Sequence, residues 1–374
     1  MAEPYRFGIE EEFFLADAGT RGSPGPRAED FHAAVEARLD HAERELQRIQ
    51  IETCSPPSES FAEAGAQLGA LRAGLAEIGA RHGILVFAAG THPTALWRTQ
   101  RETPAERYRG IVHDLRMIGR RTLVCGMHVH VEVARPENRA DLGRRLLPFL
   151  PLLLALSTSS PFWQGRPTGL SGYRLRAYAE LPRTGLPEFF DGADDYARYL
   201  RVMTKAGAIE DATFLWWNLR ISAKYPTLEL RIADACPCLA DTLAVAALFR
   251  CLVRRVERDP ALNAGLTGAS RGFVMENLWR AQRDGTKAAL IDEAQERAVP
   301  LPEAVEAVLA LVAEDAEALG CAETCARART IAAHGSSADR QLRTYEAALQ
   351  EGARHRDALN AVIDSLARET AGGA

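Results

Sequence analysis

The chain has 374 residues, a length that fits one large domain or two ordinary ones. Hydrophobic residues make up 47% and charged residues of both signs 25%, which excludes a disordered chain and fits one that buries a sizeable core. Lysine and arginine number 45 against 50 acidic residues, and the resulting net charge of −5 excludes the basic footprint of a nucleic-acid or anionic-membrane binder.

Taken in chain order, period-2 alternation alternates with helical spacing. Tyr5–Leu15 reads as a strand, Gly19–Pro26 as a loop and Ala28–Arg48 as a helix. No basic, then apolar leader precedes the first strand, so the chain reads as cytoplasmic. Arg48–Cys54 reads as a strand, Phe61–Arg81 as a helix, Ile84–Gly90 as a strand, Ala105–Arg121 as a helix and Leu123–Val133 as a strand. Pro136–Ser157 reads as a helix. Its most apolar part, Leu146–Leu156, is broken by Pro148 and Pro151 and falls short of the ~20 residues of a membrane span, which predicts a buried helix with a bent end.

Pro161–Gly172 reads as a loop, Ala193–Lys205 as a helix, and Trp216–Ser222 and Thr227–Asp234 as strands. Asp241–Glu257 begins a remainder that reads as entirely helical, with apolar spacings of three and four in Glu303–Leu319 and Ala338–Ala367. No repeat and no Gly/Ser-rich or Pro-rich linker divides the chain. The expectation is one α+β domain over residues 1–374, with a helical C-terminal part from about 237.

Seven cysteines, an odd number without framework spacing, fit a reducing compartment. Cys236-Pro-Cys238 and Cys321-x3-Cys325 carry no accompanying pair at zinc-finger spacing and read as buried thiols rather than a zinc site.

Side chains at i and i+2 share one face of a strand. In the first strand Ile9, Glu11 and Phe13 oppose Glu10 and Glu12. Further along, Glu52 opposes Ile51, and His128, His130 and Glu132 oppose Met127, Val129 and Val131. Glu229 and Arg231 oppose Leu228, Leu230 and Ile232. Alone, each pattern has an ordinary explanation: a solvated edge, hydrogen-bonded histidines, a surface ion pair. Together, on matching faces, they make an acidic platform that repels itself unless cations neutralise it. Carboxylates suit Mg²⁺ or Mn²⁺, and magnesium shares its coordination with phosphates, so the platform points to a nucleotide. Neither a GxxxxGK[ST] loop nor a GxGxxG fingerprint opening a helix is present.

These residues stand in blocks that run nearly the whole chain: Phe7-Gly-Ile-Glu-Glu-Glu-Phe13, Ile51-Glu-Thr-Cys-Ser-Pro56, Gly90-Thr-His-Pro93, Gly126-Met-His-Val-His-Val131, Ser159-Ser-Pro-Phe-Trp-Gln-Gly-Arg166, Trp217-Asn-Leu-Arg-Ile-Ser222, Thr227-Leu-Glu-Leu-Arg-Ile-Ala-Asp-Ala-Cys-Pro237, Asn277-Leu-Trp-Arg-Ala281 and Ala338-Asp-Arg-Gln341. In these blocks and their order the chain resembles the bacterial type 2 glutamate–cysteine ligases, or carboxylate–amine ligases. The resemblance implies a curved, mainly antiparallel sheet with helices on its convex side, like the catalytic domain of glutamine synthetase. It also implies ATP, Mg²⁺ (or Mn²⁺) and amide formation through an acyl phosphate.

By the same resemblance Glu10, Glu12, Glu52 and Glu229 are candidate metal ligands, and Arg231 contacts the transferred phosphoryl group. His128 and His130 are candidate catalytic groups whose role as metal ligand, phosphate contact or base stays open. Arg166, Arg174, Arg220, His92 and Tyr173 are candidates for substrate or phosphate contacts, where a guanidinium fork suits carboxylates. The expected partners are a small carboxylate and an amine, with neither nucleic acid nor membrane, and the chain is expected to form a homodimer or higher assembly.

The sequence departs from the family's usual pattern at Glu132, Pro167 and Asn218 and in the Leu170-Ser-Gly-Tyr-Arg174 and Arg283-Asp-Gly-Thr segments. These changes fall where substrate would be read. Two other functions compete: a metal-dependent amide hydrolase built on His128-x-His130, and a catalytically silent nucleotide- or metabolite-binding relative.

Overall fold

In the computed structural model, which describes residues 5–105 and 113–372, the alternating segments assemble into one seven-stranded sheet. Strand β1 (Phe7–Asp17) lies at its centre. Its middle pairs with β3 (Gln50–Cys54) on one side, and β2 (Ala42–Arg44) extends the sheet beyond β3. On β1's other side lie β4 (Ile84–Phe87) against its C-terminal half and β5 (Met127–Glu132) against its N-terminal half. The strands Thr227–Leu230 and Leu219–Ile221 continue the sheet beyond β5. Every pairing in this sheet is antiparallel.

The apolar face is covered by helices. Ile9, Met127, Val129, Val131, Leu228 and Leu230 form one core with Leu68 of the Phe61–Arg81 helix and Val245, Leu248 and Leu252 of the Leu239–Arg258 helix. Phe13 and Ile51 join a second core with Leu75, Ile78 and, from the His355–Thr370 helix, Leu359, Val362 and Ile363. The Phe61–Arg81 helix starts where the Ser60 side chain accepts the Glu63 N–H (3.3 Å) and buries Phe61, Ala64, Leu68, Leu75 and Ile78 at helical spacing. Gly79 lets this helix lie close to β4, because a Cβ there would sit 2.6 Å from the Ile84 carbonyl oxygen.

Two expectations need correction. The helix expected over Ala28–Arg48 is Arg27–Glu36 only. His41 has φ of 64°, outside the helical region, and Ala42–Arg44 becomes the edge strand β2. The part after Asp234 is not entirely helical: Ala289–Asp292 and Arg297–Pro300 form an antiparallel hairpin, turned at Glu296 with φ of 50°. The Ala338–Ala367 segment is two helices, Ser337–Gln350 and His355–Thr370, parted at Gly352, whose φ of 90° favours glycine. The proline-rich stretch behaves as expected: Arg139–Leu146 gives way to a 3₁₀ turn at Leu147–Phe149 and then to the buried helix Leu150–Ser157. Of the helix expected over Ala105–Arg121, Met117–Arg121 is observed, and residues 106–112 lie outside the described ones. Among the described residues no helix is long and apolar enough to cross a membrane.

Candidate active site

The other face of the sheet lines a cleft holding a cavity of about 410 Å³. Register alone lays out its chemistry. Glu43 on β2 stands opposite Glu52, and Glu52 stands opposite Glu12 on β1. Glu10 stands opposite His128 on β5, His130 opposite Glu229, and Glu229 opposite Arg220. Read across the strands, the face runs from carboxylates through imidazoles to guanidiniums.

At the acidic end, Glu12 accepts the Gly126 N–H (2.7 Å) and lies 3.8 Å from His128 Nε2. Burial, with the negative charge of Glu45 adding to it, pushes the Glu12 carboxyl up to about 7. Burial, and after it the charges of Glu10, Glu45 and Glu12, hold Glu52 well above the usual carboxylate range. Glu10 goes the other way. Burial works to raise it, but hydrogen bonds with His128 and His130 overcome that and hold it well below the usual range. His128 Nδ1 lies 3.1 Å from Glu10 and His130 Nε2 3.3 Å from it, and His130 Nδ1 lies 2.9 Å from the Thr227 hydroxyl.

At the basic end, Glu229 is fully buried. Arg220 grips it through two bonds of 2.7 and 2.9 Å, and Arg231 donates to the same carboxylate. Burial raises this carboxyl, but the charges of Arg231 and Arg220 outweigh it and hold it at about 2. Arg231 also donates to the Tyr178 hydroxyl (3.3 Å). Beneath it the buried Arg174 guanidinium donates to the carbonyls of Arg231 and Ile232, each at 3.3 Å. Gly126 makes room for it, since a Cβ there would lie 2.1 Å from an Arg174 nitrogen.

The donor set at the acidic end fits a hard divalent cation. Burial lowers His128 to about 4, aided by the Arg231 charge, so the ring is neutral near pH 7. Its hydrogen bond to the ionised Glu10 assigns the proton to Nδ1. The lone pair of Nε2 is then buried without a hydrogen-bond partner and faces Glu12. Atoms of Glu12, Glu52 and His128 lie within 4.8 Å of one another, as do atoms of Glu10, His128 and Glu229. A lone pair turned toward carboxylates is repulsive until a cation lies between them.

Of the residues singled out from the sequence, Glu10, Glu12, Glu52, His128, His130, Arg174, Arg220 and Arg231 line the cavity, and Glu229 holds two of them. Three others do not meet them. Arg166 is exposed on the small Phe162–Trp163 and Arg166–Pro167 hairpin. Tyr173 packs on Trp163, with ring centroids 5.5 Å apart. His92 is wholly buried between Phe14 and Phe87 and accepts the N–H groups of Thr94 and Ala95 at Nδ1. Nor do the departures at Glu132, Pro167 and Asn218 line the cavity, and Glu132 pairs with Arg6 at 3.0 Å instead.

Sequence reasoning missed Glu43 and Glu45, which join the acidic end, because β2 was read as helix. The alternation of Glu43, Arg44 and Glu45 was the available signal, with Arg44 between them at the cavity wall donating to Glu36 and Glu29. It also missed Tyr178, Trp216, Lys224 and Tyr225, which line the cleft from short elements and the turn after Ser222.

A family model described as glutamate–cysteine ligase family 2 matches residues 6–365. A Rhodospirillum rubrum protein assigned as a glutamate–cysteine ligase 2 is 43% identical over 376 residues, covering 99% of this chain and 97% of its own. One from Bradyrhizobium sp. (strain ORS 278) is 43% identical over 342 residues, 91% of this chain and 83% of its own. Among solved structures, a Francisella tularensis glutamate–cysteine ligase in complex with AMP superposes with a TM-score of 0.69 at 12% identity, covering 99% of this chain and 92% of that one. A bifunctional glutathione synthetase from Pasteurella multocida gives 0.70 at 14% identity, and this chain, 98% covered, spans 53% of its length. The sheet, its helical backing and these matches define an ATP-dependent ligase that forms carbon–nitrogen bonds. The chain belongs to glutamate–cysteine ligase family 2.

Proposed function

We propose that this protein joins a carboxylate to an amine through an acyl-phosphate intermediate, with glutamate activated at its γ-carboxyl and cysteine as the amine that its relatives' assigned name suggests. The observation that carries the reading is the polarity of the cleft, with Glu10, Glu12 and Glu52 at one end and Arg220 and Arg231 at the other. A carboxylate is a poor electrophile at neutral pH. Taking the γ-phosphoryl group of ATP turns it into a mixed anhydride that an amine can attack, with phosphate leaving. Both reactants are anions, so positive charge must be supplied on both sides of the transferred group.

Glu10, Glu12, Glu52 and His128 Nε2 would hold Mg²⁺ or Mn²⁺, which when bound neutralises phosphate oxygens and the carboxylates themselves. Arg231 and Arg220 face the charge that develops on the phosphoryl oxygens. Glu229, expected from the sequence to bind metal, has its oxygens taken up by these two arginines. Its part in this reading is to fix their direction. Arg174 steadies the same strand from beneath through its hydrogen bonds to Arg231 and Ile232.

The test is a screen of Mg²⁺-dependent ADP release across amino acids and amines, with mass detection of the product. The reading expects ADP and phosphate in equal amounts only when acid and amine are both present, with γ-glutamylcysteine formed from glutamate and cysteine. ATP binding by calorimetry without ADP from any pair would replace it with a silent binding protein. Amide cleavage without nucleotide would replace it with a hydrolase.

A further inference from the structure

Outside the cleft lining, three cysteines converge in the helical part. Cys251 lies on the Leu239–Arg258 helix, and Cys321 caps the N-terminus of the Ala322–His334 helix. Cys325 follows Cys321 by four residues, one helical turn on, so both reach the same side. Cys251 Sγ lies 3.4 Å from Cys321 Sγ and 3.8 Å from Cys325 Sγ. All three sulfurs lie within 4.8 Å of one another, each residue is at most 1% exposed, and none is in a disulfide. The pairs that sequence spacing suggests, Cys236 with Cys238 and Cys321 with Cys325, hide this arrangement. Cys251 completes the group, and Cys236 and Cys238 take no part.

Three thiols in mutual contact are more than core filling requires, since a lone buried cysteine packs as an ordinary small hydrophobe. Zinc–thiolate bonds of ~2.3 Å in tetrahedral geometry place their sulfurs about 3.8 Å apart, close to the 3.4 and 3.8 Å of the two Cys251 pairs; the three thiolates fill three corners and a water would fill the fourth. Soft sulfur donors select a thiophilic cation rather than the hard Mg²⁺ or Mn²⁺ suited to the cleft. Charge favours a divalent one. Three thiolates around Zn²⁺ leave a single negative charge, and the Arg250 guanidinium, close enough to act electrostatically on Cys251 and Cys321, offsets it. A monovalent Cu⁺ would leave two negative charges buried against that one arginine.

We infer that Cys251, Cys321 and Cys325 form a structural zinc site that staples the Leu239–Arg258 helix to the Ala322–His334 helix. These helices are also joined by apolar contacts in the main core and by the Arg327–Asp241 ion pair (3.0 Å), and a shared ion would add a metal-dependent part to their docking. The site stands apart from catalysis and from the proposed reaction: it is built from residues that do not line the cleft.

The experiment uses the full chain purified with a thiol reductant, supplied with zinc and then dialysed against excess Mg²⁺. Metal is counted by mass spectrometry. The expected result is about one zinc per chain, retained in Glu52→Gln and Cys238→Ser and lost in Cys321→Ser and in Cys325→Ala. Exchange with Co²⁺ is expected to give the thiolate-to-cobalt charge-transfer band in the wild type and in Glu52→Gln, and not in the cysteine variants of the group. Circular dichroism verifies folding of each variant. If the cysteine variants unfold, the zinc count and the cobalt band of the wild type decide by themselves. A folded wild-type chain without tightly held zinc and without the cobalt band overturns the proposal, as does copper alone at one equivalent. So does zinc that survives Cys321→Ser but leaves with Glu52→Gln.

Discussion

Adjacent glutamates on β1 meet opposite fates. Glu11 points into the core, where Arg72 donates to both of its oxygens and to the carbonyls of Cys236 and Pro237, and the Thr242 hydroxyl donates to it as well. Both charges of this pair are only 2% exposed, and each is matched. One residue to either side, Glu10 and Glu12 turn into the cleft with Glu52, and there acid meets acid. The sheet therefore has one face neutral at rest and one whose acidic end lacks a matching cation, its arginines lying at the other end of the cleft. A matched buried pair marks architecture, and an unmatched cluster held in place by strand register marks a site awaiting a ligand.

The matched pair depends most visibly on Arg72. Arg72→Met strands a buried carboxylate and is expected to cost about 3–5 kcal/mol in urea unfolding. Glu11→Met combined with Arg72→Met is expected to recover much of that loss, because neither charge is then left alone. A double variant as weak as the single one would show that the pair's geometry, and not its charge balance, holds this part of the core.

On the other face the sign reverses. Glu52→Gln removes a carboxylate that its neighbours already disfavour, so the folded protein is expected to melt at or above the wild-type Tm. Turnover is expected to fall by at least ~10²-fold, the scale of losing a group that positions charge at a reacting centre. Differential scanning calorimetry and ADP release on the same samples separate the two effects. A drop in Tm with activity intact would move Glu52 from the site to the scaffold.

The cleft's acid–imidazole–arginine series was legible in the sequence because strand alternation is an exact period of two. Once Glu10, Glu52, His128 and Glu229 each sat opposite apolar residues, their common face followed from pairing the strands. What stayed hidden was whatever depends on burial or on a chain reversal. Alternation sets Glu11 on the apolar face, but its partner Arg72, 61 positions away, appears only in the fold. Glu43 and Glu45 vanished into a helix extended past His41, and the hairpin at Ala289–Pro300 into an assumed helical tail. Arg166 and His92 lie in sequence blocks of the family and yet do not line the cavity, because motif membership carries no direction.

His92 gives the smallest and most specific effect. Its ring accepts two backbone N–H groups through Nδ1, at 3.2 and 3.1 Å, which leaves the proton on a buried Nε2 without a partner. Burial, together with the Arg356 charge, pushes this imidazole down to about 3. An unfolded histidine takes its proton near pH ~6.5. Above that pH both states are neutral and His92 adds no pH dependence. Between it and about 3 only the unfolded chain binds the proton, so stability falls by about 1.4 kcal/mol for each pH unit and levels off below. His92→Asn keeps an acceptor oxygen for the two N–H groups and removes the titration. From pH ~7 to ~5 the wild type is expected to lose about 2 kcal/mol more than the variant in urea unfolding. Equal losses would show that the folded ring accepts a proton after all, and that the packed corner between Phe14 and Phe87 opens to water.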